Sequence, residues 1–397
     1  MKKRCEIVIA GAGVVGLAMA ALLVRLPEQR RLRVTLVDRV APASFNNDAD
    51  VGLRVSAIAT GSMSTLAALG VRDIVLTRAC PYRDMRVWDA TGDAYAADAL
   101  HFSAAELALP ELGFITEDAL LRHALFTALE QDSVDFRFGA GIAALNKAQH
   151  VCEIELDDGA SLQADLVIAA DGARSVVREQ AGIAVDGWDY RQAAFVTHAR
   201  PAVSHQHTAW QRFLPDGPIA LLPLADGRVS IVWSTTPEHA RELKSMDDAT
   251  LSAQLTNASA AVLGELDVAA PRASFPLRAQ HAKHYVQEAL ALIGDAAHTV
   301  HPLAGQGANL GIADAAALAA VIGAALEAGE HPGDLPLLRR YERARRGANS
   351  TMLQFIDALN RMFATGSGIG ELRQTGMRVF NHSGPLKRQA MKVAIGL

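Results

Sequence analysis

The chain has 397 residues, half of them hydrophobic and a fifth charged, with 38 basic against 43 acidic side chains and a formal net charge of −5. That length suits two or three domains of roughly 150 residues, and the hydrophobic share excludes a disordered chain. The lack of a basic excess argues against a nucleic-acid partner; Cys5, Cys80 and Cys152, scattered and without a C-x-x-C pair, argue against a disulfide framework or zinc ribbon and for a reducing compartment.

Residues 6–10 read as a buried strand, 14–26 as a helix stopped near Pro27, and 33–37 as a second strand ending at Asp38, a β-α-β unit of about the expected ~30 residues. The apolar run 7–24 behind Lys2, Lys3 and Arg4 has the look of a signal peptide or short membrane span. Glu6 at the junction, three spaced glycines and an acid-terminated strand beyond them point to nucleotide binding instead. Residues 46–54 form a loop and 62–69 a short helix closed by Gly70. Residues 84–97 have strand character around a Thr91-Gly92-Asp93 turn. The spacing of Leu120, Arg122, His123, Leu125 and Leu129 predicts a helix over 116–130, with Thr116 and Asp118 offering capping oxygens.

A hairpin follows around Asp157-Asp158-Gly159, then a strand over 166–170 that ends at Asp171-Gly172. From about 182 to 280 the texture changes to short strands at 195–199, 209–214, 219–223 and 229–234, separated by Gly- and Pro-bearing turns. The α/β texture returns at 289–293, followed by Gly294-Asp295 and an alanine-rich helix from about 308 to 328; beyond Pro336 the chain reads as mostly helical. The apolar run 315–326 is too short to cross a bilayer. The expected fold is α/β: a discontinuous Rossmann-like domain (1–71, 112–181 and 281–335), an inserted mixed β-sheet substrate domain (72–111 and 182–280) and a C-terminal helical region (336–397).

Three motifs carry the chemistry. In Gly11-x-Gly13-x-x-Gly16 the first glycine permits a tight turn, the second lets backbone approach a diphosphate, and the third lets helix and strand pack closely. Asp38 stands 22 residues after Gly16, near the ~20 expected of an acid that binds a ribose hydroxyl. This unit alone means only a dinucleotide. The second motif is Asp171-Gly172-Ala173-Arg174-Ser175, which also suits an ordinary strand-end turn. The third is Gly294-Asp295-Ala296-Ala297-His298, with Asp295 placed for a ribityl or ribose hydroxyl. After it, glycines expose backbone N–H groups where the long helix begins. Asp295, His298 and His301 resemble a metal set by spacing, but Pro302 and the glycines around it suit a loop, so no metal is expected.

Together these motifs resemble the para-hydroxybenzoate hydroxylase-type flavoprotein monooxygenases, through D-G-x-x-S-x-x-R from Asp171 to Arg178 and G-D-A-A-H from Gly294. The run from His301 to Asp314 is similar to the signature of the ubiquinone-biosynthesis FAD-dependent hydroxylases. So are Arg54-Val55-Ser56-Ala57-Ile58, residues 208–215 and residues 217–224. The resemblance spans nearly the whole chain. It implies FAD as cofactor, with Gly11, Gly13 and Gly16 on the diphosphate and Asp38, where the family more often has Glu, on the adenosine ribose. Asp295 would hold the ribityl chain, Arg54 would contact the flavin side near it and Arg122 would reach the FAD, with Asp171 among the FAD contacts. Gly305, Gln306, Gly307, Ala308 and Asn309 would lie against the isoalloxazine.

The activity implied is transfer of one oxygen atom from O2 to the ring of a polyprenyl phenol bound for ubiquinone. NAD(P)H or another donor would be the reductant. Arg212, Leu221, Pro223 and Pro302 are the candidate substrate residues, although Ile219, Leu221 and Pro223 equally suit ordinary core and Arg212 a structural role. No residue announces itself as a general base. The arginines at 339, 340, 343, 345 and 346, with Lys387, Arg388 and Lys392, form either a docking face for an anionic membrane or partner quinone-biosynthesis proteins, or a solvated helix face. A cytoplasmic protein, at most peripherally bound to membrane, is expected. The alternatives are hydroxylation of a soluble aromatic and a non-catalytic lipid-binding or assembly component.

Overall fold

The computed structural model describes residues 4–97, 99–148, 151–300, 305–364, 378–381 and 383–396. In chain order, the elements that build the site begin with β1 (Cys5–Ala10), α1 (Val14–Leu23), β2 (Leu32–Asp38), β3 (Val55–Ala59), β4 (Asp84–Asp89), β5 (Gly113–Glu117) and α2 (Asp118–Leu129). Next come β6 (Val134–Phe138), β7 (Leu166–Ala169), α3 (Val176–Gln180), β8 (Val185–Pro201), β9 (Thr208–Leu214), β10 (Gly217–Pro223) and β11 (Val229–Thr235). The chain continues through α4 (Pro237–Ser245), α5 (Asp248–Ala258), β12 (Ala273–Ala282), β13 (Leu290–Leu292), α6 (Gln306–Ala328), α7 (Leu335–Ala364) and α8 (Pro385–Ala394).

A parallel sheet in the order β13-β7-β1-β2-β6 forms the nucleotide layer, edged by an antiparallel strand at Val286–Gln287. β1 lies at its centre, pairing Ile7 with Val34 on one side and Leu166 on the other. Strands buried on both faces need unbroken apolar runs, which explains why β1, β2 and β7 are Ile-, Val- and Leu-rich. α1 packs over this sheet beside α2 and α6. The fold is thus a discontinuous Rossmann-like FAD-binding domain with an inserted mixed β-sheet and a helical C-terminal region.

The inserted sheet runs β12-β8-β11-β10-β9-β4, with His298–Thr299 on one edge and Leu100–Ser103 on the other. Its β9–β4 pair is parallel and the remaining pairs antiparallel. Odd positions of β8, β10 and β11 (Phe195, Ile219, Leu221, Ile231, Trp233) join Trp88 and Trp210 in a core against α4 and α5. Strand alternation therefore sends Val196, His198, Ala220, Leu222, Ser230, Val232, Gln211 and Phe213 to the opposite face. That face looks at the cofactor layer: Leu222 and Leu224 pack with Ala57 and Ile115, and Val87 and Phe213 pack with Val300 and Met352.

Several local expectations are corrected. The strand expected over 84–97 stops at Asp89, where the Asp89 carboxylate accepts from the Thr91 N–H and begins a turn. Neither Thr116 nor Asp118 caps α2; Glu117 occupies the cap position, but its carboxylate accepts from the Gly52 N–H and Arg78 and makes no capping bond, and the buried Thr116 hydroxyl has no partner among the described residues. The run 315–326 belongs to α6, whose 23 residues are long and apolar enough to span a bilayer, but 67% of its most apolar stretch is buried inside the protein. It is the core helix against which α1 and α7 pack.

Candidate active site

The glycine loop has the geometry its spacing implies. Gly11 adopts φ +106°, and a Cβ there would meet the Ala170 carbonyl oxygen at 2.4 Å. A Cβ on Gly16 would lie 1.9 Å from the Gly11 oxygen. Gly13 differs: it is the extended residue before α1, and a Cβ there would meet nothing within 4 Å. The loop is therefore packed behind and open in front, a cradle ending at the electropositive start of α1. Asp38 closes it from β2: its carboxylate accepts from the Ala12 N–H at 2.6 Å and from the Val40 N–H at 2.9 Å. Each of its oxygens keeps a lone pair for a ribose hydroxyl.

Motifs two and three are clasped together. Ser175 caps α3 by accepting from the Arg178 N–H at 3.0 Å. Arg178, buried, turns its guanidinium to the carbonyls of Ala173 (3.0 Å) and Ala296 (2.8 Å). Asp171, whose Cα is 3.0 Å from the position of a Gly11 Cβ, accepts from the Val177 N–H through one oxygen, and its other, buried oxygen has no partner among the described residues. Burial pushes its carboxyl above the usual range against a Ser175 hydrogen bond that pulls it down. The Asp295 carboxylate accepts no hydrogen bond from a described residue, while its backbone carbonyl accepts from the Thr299 hydroxyl at 3.4 Å; burial raises the carboxyl too, opposed by His298 and Arg54. Arg54, 82% exposed in its side chain, lies 3.6 Å from Asp118. One helical turn along α2 from Asp118, the Arg122 Nε is buried without a partner. Arg54 and Arg122 thus both lie beside Asp118, and the Arg54 charge also acts on Asp295.

α6 begins beside Asp295. Gly305 caps it at φ +61°, so close to β3 that a Cβ would lie 2.7 Å from the Ala57 Cβ. A Cβ on Gly307 would lie 3.9 Å from an Asp295 oxygen, and Ala308 packs half-buried on the main core. Two side chains expected against a ligand are committed elsewhere. Asn309 pairs with β3 like a strand, accepting from the Ala59 N–H at 2.9 Å and donating to the Ala57 carbonyl at 2.8 Å. Gln306 donates to the Ala394 carbonyl at the end of α8. Both fix the helix start, whose first backbone N–H groups have no intrahelical partner.

The substrate residues need correction. Leu221 is fully buried in the outer core against α4 and α5, and Pro223 shares its parity on β10; both point away from the cofactor layer. Arg212 also faces outward, donating to the carbonyls of Asn257, Ala258 and Ala90, where it ends α5 favourably for the helix dipole. Pro302 and His301 lie outside the described residues. The cofactor-side row instead runs, in register, Val196–Val232–Ala220–Gln211–Val87.

A family model described as "FAD binding domain" matches residues 4–356. The chain is 40% identical to the 3-demethoxyubiquinol 3-hydroxylase of Escherichia coli (strain K12), covering 99% of this chain and 98% of that one. It is 37% identical to the mitochondrial ubiquinone biosynthesis monooxygenase COQ6 of Xenopus tropicalis, over 98% of this chain and 93% of that one. The chain belongs to the FAD-dependent aromatic monooxygenases related to the ubiquinone-biosynthesis hydroxylases. The crystal structure of P. aeruginosa PqsL in complex with 2-aminobenzoylacetate shares its fold, with a TM-score of 0.76 at 23% identity over 94% of this chain and 99% of that one.

This monooxygenase has a site that fits FAD by its own geometry: an open cradle at Gly13, and unsatisfied buried atoms on Asp171 and Arg122. FAD supplies the redox chemistry, activating O2 so that one oxygen atom reaches an aromatic or phenolic ring. What sequence reading missed is the brace beneath the site. Asp314, fully buried, accepts from the Gly294 N–H, the His298 imidazole at 2.5 Å, Arg345 at 2.8 Å and Asn349 at 2.9 Å. Burial alone would raise the Asp314 carboxyl, but His298 and Arg345 hold it below its ordinary range. Arg345 belongs to an arginine run that reads as a docking or solvated face; its place on the apolar side of α7, one turn each from Tyr341 and Asn349, is the signal that sets it apart.

Proposed function

We propose that this monooxygenase hydroxylates the ring of a polyprenyl phenol on the route to ubiquinone, with O2 as co-substrate and NAD(P)H or another donor as reductant. The observation that carries this reading is the 40% identity to the 3-demethoxyubiquinol 3-hydroxylase across 98% of its length. The sheet face supports it. Val196, Val232, Ala220, Leu222, Val87 and Phe213 give an apolar floor suited to a prenylated ring, and Arg228 at its margin is already held by Asp50 and Asp226. A soluble aromatic acid would call for a free cation there.

In this reading Gly11, Gly13 and Gly16 receive the diphosphate and Asp38 the adenosine ribose, with Asp171 behind the loop. Arg122, Arg54 and Asp295 orient the ribityl chain. The N–H groups opening α6, from Gly305 to Ala308, face the ring and favour negative charge there, while Asn309 keeps them in place. The chain's further task is to exclude water and orient the phenol.

Contact with a membrane surface, from the cytoplasmic side, fits the same substrate. α8 exposes Leu386 (63%) and Val393 (54%) beside Arg388 and Lys392, while its inner residues Met391 and Ile395 pack near β3. Residues 372–397 hold five basic side chains and no acidic one. Other quinone-biosynthesis proteins could share that face. The deciding experiment is deletion of the gene and identification of the quinone precursor that accumulates. An accumulated, unhydroxylated prenyl phenol supports the reading; normal ubiquinone levels in a strain with no second hydroxylase overturn it.

A further inference from the structure

The cofactor cradle sits where the strands of the parallel sheet end; a second group of donor atoms gathers where they begin. Cys5 opens β1, Asp165 immediately precedes β7, and His331 lies in the turn between α6 and α7. One comes from each of the three stretches of chain that build the discontinuous domain. The Cys5 Sγ, an Asp165 carboxylate oxygen and a His331 ring nitrogen all lie within 4.8 Å of one another. Asp165 is buried and the other two are half-buried. β1 is six residues long, so at ~3.3 Å per residue the group stands about 20 Å from the glycine loop.

Backbone packing fixes the group. The Asp165 N–H donates to the Glu6 carbonyl at 2.8 Å, and the Glu6 N–H donates to one Asp165 carboxylate oxygen at 2.7 Å. The α6–α7 turn is pressed onto the same strand start: a Cβ on Gly333 would lie 2.2 Å from the Asp165 carbonyl oxygen. The second Asp165 carboxylate oxygen stands 3.7 Å from the His331 Nε2. That is too long for a hydrogen bond. It is close to the spacing of two ligands on one metal, since tetrahedral zinc, with bonds of about 2.0 Å to nitrogen and oxygen, holds those atoms about 3.3 Å apart. The His331 Nδ1 accepts from the Gly333 N–H at 3.2 Å and has the Asp334 carboxylate 3.7 Å away. A metal on Nε2 leaves the ring proton on Nδ1, where Asp334 is the acceptor; a carboxylate behind a histidine orients it for its metal.

We propose that Cys5, Asp165 and His331 form a zinc site that staples together the three stretches of the cofactor domain. Thiolate, imidazole and carboxylate in one set suit zinc, whereas magnesium and calcium take oxygen ligands. On binding, the Cys5 S–H bond gives way to an S–Zn bond, its proton passes to solvent, and water fills the fourth position without any change of oxidation state. No local spacing announces the site, because its ligands lie in separate stretches rather than in a C-x-x-C pair.

The test uses the full-length FAD-loaded protein, stripped of metal with a chelator and titrated with Zn2+ alone, with Mg2+ in parallel. Wild type is expected to take up a single tightly held Zn2+ and to release protons, read by calorimetry in buffers of different ionisation heat. Bound zinc should protect Cys5 from alkylation, read by peptide mass, and raise the melting temperature. His331→Gln and Cys5→Ala should each weaken zinc binding by about a hundredfold or more, and Asp334→Asn by about tenfold. Metal-free His331→Gln should keep the FAD content of metal-free wild type, which separates loss of the site from loss of the fold. Zinc affinity unchanged in His331→Gln, Cys5 alkylation indifferent to zinc, or Mg2+ bound as tightly as Zn2+ overturns the proposal. Should Cys5→Ala fail to fold, His331→Gln, at a side chain 40% exposed, carries the decision.

Discussion

The three glycines of the first motif do different work, and substitutions should separate them. A side chain at Gly16 collides with the Gly11 carbonyl oxygen, whereas one at Gly13 enters open space at an ordinary φ of −74°. Gly16→Ala should therefore destabilise the fold, by roughly 1–3 kcal/mol or more as overpacking does. Gly13→Val should be purified without flavin and yet unfold at the denaturant midpoint of flavin-free wild type, since bound FAD itself would raise the midpoint. Full FAD occupancy in Gly13→Val would remove the diphosphate from this loop. A second residue-scale expectation concerns His198, fully buried with neither ring nitrogen bonded to a described residue. Burial first, and then Arg228, push its pKa from 6.5 down to about 4. The folded protein refuses a proton that the unfolded chain accepts below about 6.5, so stability present above that pH is lost as pH falls toward 4. Melting temperatures followed across this window should fall more steeply in wild type than in His198→Leu; parallel curves would show that His198 is not held neutral.

At the scale of elements, the site is an agreement among three strand ends, enforced by buried polar side chains. Arg178 ties motif two to motif three, Asn309 ties α6 to β3, and Asp314 ties Gly294 and His298 to α7. Removing one partner from such a network leaves uncompensated charge: Asp314→Ala strands Arg345 and should cost about 3–5 kcal/mol, measured by urea unfolding, with FAD affinity falling in step. A loss under 1 kcal/mol, roughly what a surface pair is worth, would refute the brace. The β-α-β unit and α6 were legible in the sequence because glycine spacing and apolar runs are local signals. Asn309 and Gln306 were legible as part of the site but not in role, because a side chain that pairs with β3 or α8 is specified by contacts some 250 and 88 residues away. For Leu221 and Pro223 the choice between pocket and ordinary core was not legible for a related reason. Alternation along β10 says which residues share a face, but only the packing of α4 and α5 says which face is covered.

For the whole molecule, the two sheets meet with the cofactor cradle on one and an apolar floor on the other, and α8 closes the margin between β3 and the start of α6. On the proposed reading, the prenyl tail of the substrate leaves this space toward an apolar phase. FAD-loaded protein should float with vesicles containing anionic lipid, and a Leu386→Gln, Arg388→Glu, Lys392→Glu variant should stay behind while keeping its flavin. Equal flotation of both proteins would place any membrane contact elsewhere. The discontinuous architecture was readable because nucleotide-like strand ends recur near residues 11, 171 and 295 with sheet texture between the last two. The position of the basic helix over the site was not, since nothing in its own sequence names Ala59 or Gln306 as neighbours.

The central claim, oxygen transfer to a prenyl phenol by a flavin held in this cradle, is tested most directly with purified FAD-loaded protein. It is supplied with a polyprenyl phenol, a flavin reductant and isotopically heavy O2. The account predicts a ring-hydroxylated product carrying one heavy oxygen atom, formed by wild type and absent with flavin-free Gly13→Val. A product whose new oxygen comes from water, or one formed equally by the flavin-free variant, would contradict it.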